Sequence, residues 1–133
     1  MSASLKIEEV KAGSVFDSPH YRQAVKVSGA QALVFLSGQV ARNPDGSVAH
    51  PGDFAAQARS ALRDVKALVE AAGGTLDNVV KVNAYTADER YREDWRAVCR
   101  EFFPGKLPPT TRLQVAGFGL PGWLVEIEAI AVL

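Results

Sequence analysis

The sequence predicts an α+β fold in which a single mixed β-sheet carries two helices on one face. Two segments have apolar residues at helical spacing, and they lie among segments that alternate as strands do. The connections are short, and the order along the 133 residues is βββαβαββ. We expect residues 1–133 to form one domain, because this is the length of an ordinary single domain.

Three short strands are predicted ahead of the first helix. Residues 5–10 and residues 23–27 form the first two. The third strand, in "ALVFLSG", is apolar on both faces over residues 33–36, which is typical of a central strand. Gly29-Ala30 is typical of a tight turn, so we expect the second and third strands to form a hairpin.

Capping residues and apolar spacing predict the first helix. Asp53 can cap its N-terminal N–H groups, and Gly73-Gly74 predict its end. Apolar residues recur at helical spacing between these signals: Phe54, Ala58, Ala61, Leu62, Val65, Leu68 and Val69.

The second helix is predicted over residues 90–103, before Pro104-Gly105. Its apolar stripe consists of Tyr91, Trp95, Val98 and Phe102. Helical phase places Cys99 beside Trp95 and Phe102, so we interpret it as a buried structural thiol.

Residues 78–85, residues 110–117 and residues 123–133 are the remaining strands. In the first of these, Val80, Val82 and Ala84 form the apolar face. The last strand, "WLVEIEAIAVL", places Glu126 and Glu128 together on a mostly apolar face. Because an unpaired buried charge is very costly, these carboxylates are solvated, have partners or do chemistry.

The helices can cover only one face of the predicted sheet. The other face collects Lys81, Asn83 and one side of the last two strands, and it is partly apolar. A large exposed apolar patch on a small domain usually marks an interface. We therefore expect a homo-oligomer whose sheets pack against each other.

Composition excludes several classes of protein. Fifteen basic residues balance fifteen acidic ones, which argues against binding of nucleic acid or an anionic membrane. No apolar run approaches the roughly 20 residues of a membrane helix, and "MSASLKIEEVKAG" has no signal-peptide core. A single cysteine fits a reducing compartment. We expect a soluble cytoplasmic protein.

No motif for a metal or an organic cofactor is recognisable. His20 and His50 are isolated in different loops, which is too few ligands for a zinc site. No P-loop, dinucleotide-binding fingerprint or Ser/His/Asp order is present. We therefore expect no metal and no cofactor.

Several segments together resemble the RidA/YjgF family of reactive intermediate deaminases, often described as endoribonuclease L-PSP. They are "YRQAVKV…LVFLSGQV", "GDFAAQARSALRDVKALVEAAGGTLDNVVKVNAYTAD", "REFFPGKLPPTTRLQVAG" and "LVEIEAIAVL". The resemblance implies a fold like that of bacterial chorismate mutase and a homotrimer with three clefts between subunits. In the deaminase branch each cleft binds a carboxylate-bearing enamine or imine and hydrolyses it to a 2-oxo acid and ammonia, without a metal or cofactor.

The resemblance also implies candidate site residues. Glu126 matches a cleft glutamate that positions a water, and Tyr21 matches a cleft tyrosine. The family's carboxylate-binding arginine corresponds to Thr110, its cleft cysteine or threonine to Arg112, and a cleft asparagine to Arg96. The chain therefore resembles a branch that lacks the usual arginine.

Each candidate residue has a structural and a functional interpretation. Glu126 is either a paired carboxylate or the acid–base group of imine hydrolysis, whereas Glu128 is predicted to pair with a base such as Lys81. Arg112 either pairs with one of these glutamates or binds a substrate carboxylate.

The remaining candidates are Tyr21, Thr110 and Arg96. Tyr21 either packs at an interface or closes over the ligand, and Thr110 lines the pocket with its hydroxyl. Arg96 belongs either to a solvated helix face or to the cleft.

Two functions remain open at this point. The first is a small-molecule deaminase or hydrolase that acts on an imine, enamine or related C=N compound in a cleft between subunits. The second is a non-catalytic ligand-binding or regulatory trimer that retains the cleft. Ribonuclease activity follows only from the family's common description, and the neutral charge and the lack of an acid–base pair of histidines argue against it.

Overall fold

The computed structural model describes residues 4–133 and has the predicted element order. Its strands are β1 (Lys6–Val10), β2 (Ala24–Ser28), β3 (Leu33–Gln39), β4 (Val79–Thr86), β5 (Thr110–Gln114) and β6 (Val125–Val132). Its helices are α1 (Phe54–Ala71) and α2 (Arg92–Phe102), and the short 3-10 turns Leu76–Asn78 and Glu89–Tyr91 precede β4 and α2. The predicted α+β class, with two helices and a mixed sheet, is confirmed.

The strands divide between two sheets rather than forming the predicted single one. The larger sheet has the order β3-β6-β4-β5, in which β4 and β5 are parallel and the other pairs are antiparallel. A separate ribbon pairs β1 with β2 along the whole length of both strands. Within residues 4–133, β2 pairs with β1 alone, and its other edge is not joined to the larger sheet.

The predicted hairpin of β2 and β3 is therefore wrong. Gly29 does turn, with φ 73°, but Gln31 and Ala32 then donate their N–H groups to the carbonyl of Leu133. This places β3 against β6 at the C-terminal end of the chain.

The prediction that β3 is a central strand is also wrong. Within residues 4–133, β3 is an edge strand that pairs only with β6. Val34 and Leu36 face the core, whereas Leu33 and Phe35 on the other side are 60% and 71% exposed. The apolar residues on its two faces therefore have different surroundings: one face packs on the core, and the other lies on the open side of the sheet.

Helix α1 begins and ends as predicted. The carboxylate of Asp53 accepts a hydrogen bond of 3.0 Å from the N–H of Ala56, and Gly73 follows the helix with φ 104°. The predicted stripe is buried except for Leu68, which is 43% exposed because it lies at the rim of the stripe.

Gln57 is a fully buried polar side chain that sequence analysis did not assign to the core. Its amide Nε2 donates to the carbonyls of His50 and Gly122, at 3.2 and 3.0 Å. Its Oε1 accepts from the N–H of Leu124 at 2.8 Å. One side chain thus joins α1 to two loops and to Leu124, the residue that precedes β6.

Apolar side chains of β4, β6 and both helices form the core. The buried residues of β6 are Val125, Ile127, Ala129 and Ala131, which share one face, and Val132 at the end of the strand. In β4 the core contains Val79 rather than Val80, because the register shifts between Val79 and Lys81. The buried residues of α2 are Trp95, Val98 and Cys99, which lie on its inner side.

The second face of the larger sheet is open within residues 4–133. Leu33, Phe35 and Leu113 are exposed there, as predicted for a partly apolar face. No helix in this part of the chain combines the length and the apolar character needed to cross a bilayer.

Replacing the buried amide of α1 tests its structural role. Gln57→Leu should lower the free energy of unfolding by about 2–3 kcal/mol, because the N–H of Leu124 and two carbonyls lose their partner. The measurement is chemical denaturation at fixed protein concentration. Gln31→Leu is the control, since Gln31 is exposed. Equal stability of the two variants would contradict the role given to Gln57.

Candidate functional site

A cavity of about 220 Å³ lies between α2 and β5. It is lined by His20, Tyr21, Arg92, Trp95, Arg96, Leu107, Thr110 and Arg112. Four of the five residues predicted for the site therefore share one cavity, and only Glu126 does not. Their functional roles stay predictions.

Strand β5 supplies two of the lining residues from one face. In the parallel register, Thr110 and Arg112 lie beside Val82 and Ala84, whose side chains are buried on the helix side. The hydroxyl of Thr110 donates to the carbonyl of Pro108 at 2.7 Å. Nη1 of Arg112 donates to the buried hydroxyl of Thr86 at 3.2 Å, which holds the guanidinium at the cavity wall.

Helix α2 supplies Arg92, Trp95 and Arg96, which share a face because they are three and four residues apart. Trp95 is buried and forms an apolar part of the wall. Nη1 of Arg96 lies 3.3 Å from the carboxylate of Glu93. Sequence analysis missed Arg92, although its position four residues before Arg96 on the same helix was a usable signal.

The segment before β2 places Tyr21 at the cavity. Tyr21 forms an isolated parallel bridge with Leu107. The N–H of Arg22 donates to the carbonyl of Leu107, and the N–H of Leu107 donates to the carbonyl of His20, both at 2.9 Å. These bonds also bring His20 to the wall, where sequence analysis did not place it.

Glu126 lies on the opposite face of the sheet from this cavity. In the antiparallel register it faces Tyr85, whereas its buried neighbour Ile127 faces Ala84. Its carboxylate lies over Gly38 of β3, where any Cβ would overlap it. Glycine at this position therefore gives the Glu126 side chain its room.

Glu128 has partners other than the predicted Lys81. Its Oε1 accepts from the hydroxyl of Tyr85 at 2.5 Å and from the amide of Asn83 at 3.1 Å. Nζ of Lys81 instead donates to the hydroxyl of Thr111 on β5 at 3.1 Å. Lys81 and Tyr85 are both diagonal to Glu128 on β4, but the side chain of Lys81 extends toward β5 instead.

Hydrogen bonding to Glu128 raises the pKa of the Tyr85 phenol above its ordinary value. Desolvation and the negative charges of Glu128 and Glu126 act in the same direction. The phenol is therefore a firmly protonated donor at neutral pH, and Glu128 is a structural acceptor.

Arg112 forms no ion pair with Glu126 or Glu128, because the sheet separates the guanidinium from both carboxylates. Cys99 is fully buried, as predicted, and burial raises the pKa of its thiol. Within residues 4–133 no cluster of three or more His, Cys, Asp or Glu side chains is placed to hold a metal ion.

Comparison with known proteins places this chain in a family. Residues 16–133 match the sequence profile described as Endoribonuclease L-PSP. The 2-iminobutanoate/2-iminopropanoate deaminase of Mus musculus is 37% identical over 113 residues, which are 84% of this chain and 80% of that protein. Protein HMF1 of Saccharomyces cerevisiae is 35% identical over 111 residues, covering 84% and 82%.

The fold has close counterparts among solved structures. A Yersinia pestis protein of unknown function of the conserved Rid protein family, YyfB, superposes with a TM-score of 0.84. The match covers 96% of this chain and 98% of that one at 23% sequence identity. At this identity the likeness concerns the fold alone.

The Tyr85–Glu128 hydrogen bond predicts an unusual tyrosine titration. One tyrosine should ionise at a higher pH than an ordinary tyrosine, because Glu128 accepts its proton in a hydrogen bond, and Glu128→Gln should lower that pKa. The measurement is the ultraviolet absorbance of tyrosinate during alkaline titration, with Tyr85→Phe to assign the signal. Glu126→Gln is the matched control and should have the smaller effect, because Glu126 makes the weakest contribution. Equal effects of the two glutamine variants would contradict the assignment.

Proposed function

Because the chain belongs to the endoribonuclease L-PSP family, also called the RidA/YjgF family, we propose that it hydrolyses a small imine, enamine or related C=N compound. The observation that carries this proposal is the cavity between α2 and β5, where Arg112, Thr110 and Tyr21 meet beside the apolar side chain of Trp95. The similarity to a mouse protein named as an imine deaminase supports the reaction class.

The proposed substrate carries a carboxylate that Arg112 binds. A guanidinium can hold a carboxylate through two parallel hydrogen bonds, and in a partly dry cavity such a bond is strong. Among residues 4–133, Arg112 makes a hydrogen bond to Thr86 and no ion pair, so its remaining donors are available. Tyr21 would close over the ligand, and Thr110 and Arg96 would complete its surroundings.

The proposed acid–base group comes from a second subunit. Glu126 and the cavity lie on opposite faces of one sheet, so the two cannot meet around one ligand within a single chain. Because β5 is an edge strand of the larger sheet, a neighbour in a homotrimer whose open sheet faces pack together can bring its Glu126 to the cavity around that edge. The exposed apolar residues Leu33 and Phe35 support such packing.

In the proposed reaction a water attacks the carbon of the C=N bond. Glu126 takes a proton from this water and returns one to the nitrogen. The hydroxyl proton of the resulting carbinolamine then passes to the nitrogen as the C=O bond forms and the C–N bond breaks, so the products are a 2-oxo acid and ammonia. Water is the only co-reactant, and no oxidation or reduction occurs.

Glu126 should matter for turnover and little for folding. Glu126→Gln should lower the hydrolysis rate of an imine generated in the assay by roughly a hundredfold or more, because the amide cannot accept the proton. Glu128→Gln is the matched control on the same face of β6, and it should leave the rate much closer to that of the wild type. The rate is followed by release of ammonia, and the melting temperature is recorded for each variant.

Two outcomes of this experiment would count against the proposal. Equal loss of activity and stability in both variants would make the glutamates a structural network. Tight binding of 2-oxo acids by a wild type without turnover would favour the alternative function, a non-catalytic ligand-binding or regulatory trimer.

The proposed trimer predicts a mass of three times 14.3 kDa in light scattering. Phe35→Asp should give a smaller species, because a charge on the exposed face of β3 would be buried in the interface. Phe16→Asp is the control, since Phe16 is 72% exposed and lies outside the sheet. A wild type that is monomeric at micromolar concentration would remove both the trimer and the shared site.

A further inference from the structure

The cavity between α2 and β5 has a strong positive charge. Three arginines line it, namely Arg92, Arg96 and Arg112, and residues 4–133 contribute no aspartate or glutamate to its wall. The chain as a whole has zero formal charge, so this concentration of guanidinium groups is local. From this arrangement we infer that the ligand carries two carboxylates, one bound by Arg112 and the other by the arginines of α2. The inference rests on the proposed function, because it specifies the substrate class of the same cavity.

The arginines of the cavity are poorly neutralised by the protein. Among residues 4–133, Arg92 and Arg112 take part in no ion pair. Arg96 pairs with Glu93, whose side chain is 77% exposed, so water screens this pair. Even with the neighbour's Glu126 added in the proposed trimer, three guanidinium groups face only two carboxylates, one of them the exposed Glu93, so positive charge is left for a ligand to balance.

Arg92 and Arg96 are also a like-charge pair at positions i and i+4 of one helix. Such a pair destabilises a helix. An anionic group bound between the two guanidinium groups would offset this repulsion. If Arg92 and Arg96 only formed a solvated helix face, there would be no reason for both side chains to line the cavity that also contains Arg112.

The positive groups enter the cavity from two different elements. Arg112 extends from β5 and is held by Thr86, whereas Arg92 and Arg96 extend from α2. The buried side chains of Trp95 and Leu107 contribute apolar surface to the same wall. Two anionic ends joined by a short carbon chain match this arrangement better than one small anion does.

The experiment compares two product analogues that differ in one carboxylate. 2-Oxoglutarate and 2-oxopentanoate have the same five-carbon chain, and calorimetry on the intact protein measures the affinity for each. 2-Oxoglutarate should bind about 10- to 100-fold more tightly, which is the range expected for one additional charge-assisted interaction. The preference should shrink as salt is added, because the second carboxylate binds at partly exposed arginines.

Arg92→Gln tests which residue recognises the second carboxylate. It should remove most of the preference for 2-oxoglutarate and change the affinity for 2-oxopentanoate much less. Arg112→Gln should weaken both ligands. Arg100→Gln is the matched control, because it removes an exposed arginine of the same helix that does not line the cavity. Circular dichroism of each variant verifies that α2 is intact.

Three results would overturn the inference. They are equal affinity for the two oxo acids, an unchanged preference in Arg92→Gln, and tighter binding of inorganic phosphate than of 2-oxoglutarate. The last result would mean that the arginines surround a single anionic group.

Failure of the inference and failure of the proposed function give different results. Imine hydrolysis without a preference for 2-oxoglutarate would remove the inference and leave the function. A clear preference for 2-oxoglutarate in a protein that hydrolyses neither corresponding imine would remove the proposed function and leave the inference about the ligand.

Discussion

The pairing of β6 with both β3 and β4 determines most of this structure. The C-terminal strand lies inside the larger sheet, and its backbone hydrogen bonds hold strands from the beginning and the middle of the chain. Over residues 125–131 its side chains alternate between a buried apolar set and a set that includes Glu126 and Glu128. Because the other strands of this sheet are in register with β6 or with its neighbour β4, their side chains are divided between the same two faces.

One consequence is the separation of charge across the sheet. The arginines lie on the helix side, in the cavity between α2 and β5, and the two glutamates lie on the open side. Glu128 is occupied by Tyr85 and Asn83, whereas the carboxylate of Glu126 extends over Gly38. Since the sheet keeps the cationic cavity and Glu126 apart within one chain, a site that uses both requires a second copy of the chain.

The open face explains a feature of β3 that sequence analysis misread. An edge strand with Leu33 and Phe35 exposed is an unfavourable arrangement for an isolated domain. Packing of sheet against sheet between subunits would bury these side chains and bring Glu126 toward a neighbour's cavity. The same apolar face would then stabilise the assembly and complete the proposed site.

Local patterns in the sequence determined the elements, and the tertiary structure decided how they combine. Asp53, the apolar stripe of α1 and the alternation of β6 were predictable because capping and periodicity act over a few residues. The partners of β2 and β3 and the partners of Glu128 were not. Resemblance to a family brought Tyr21, Arg96, Thr110 and Arg112 together as candidates, but it did not reveal that Glu126 lies on the other face of the sheet. Strand pairing depends on backbone hydrogen bonds that are the same for every sequence, so only the folded chain decides which strands, and therefore which side chains, become neighbours.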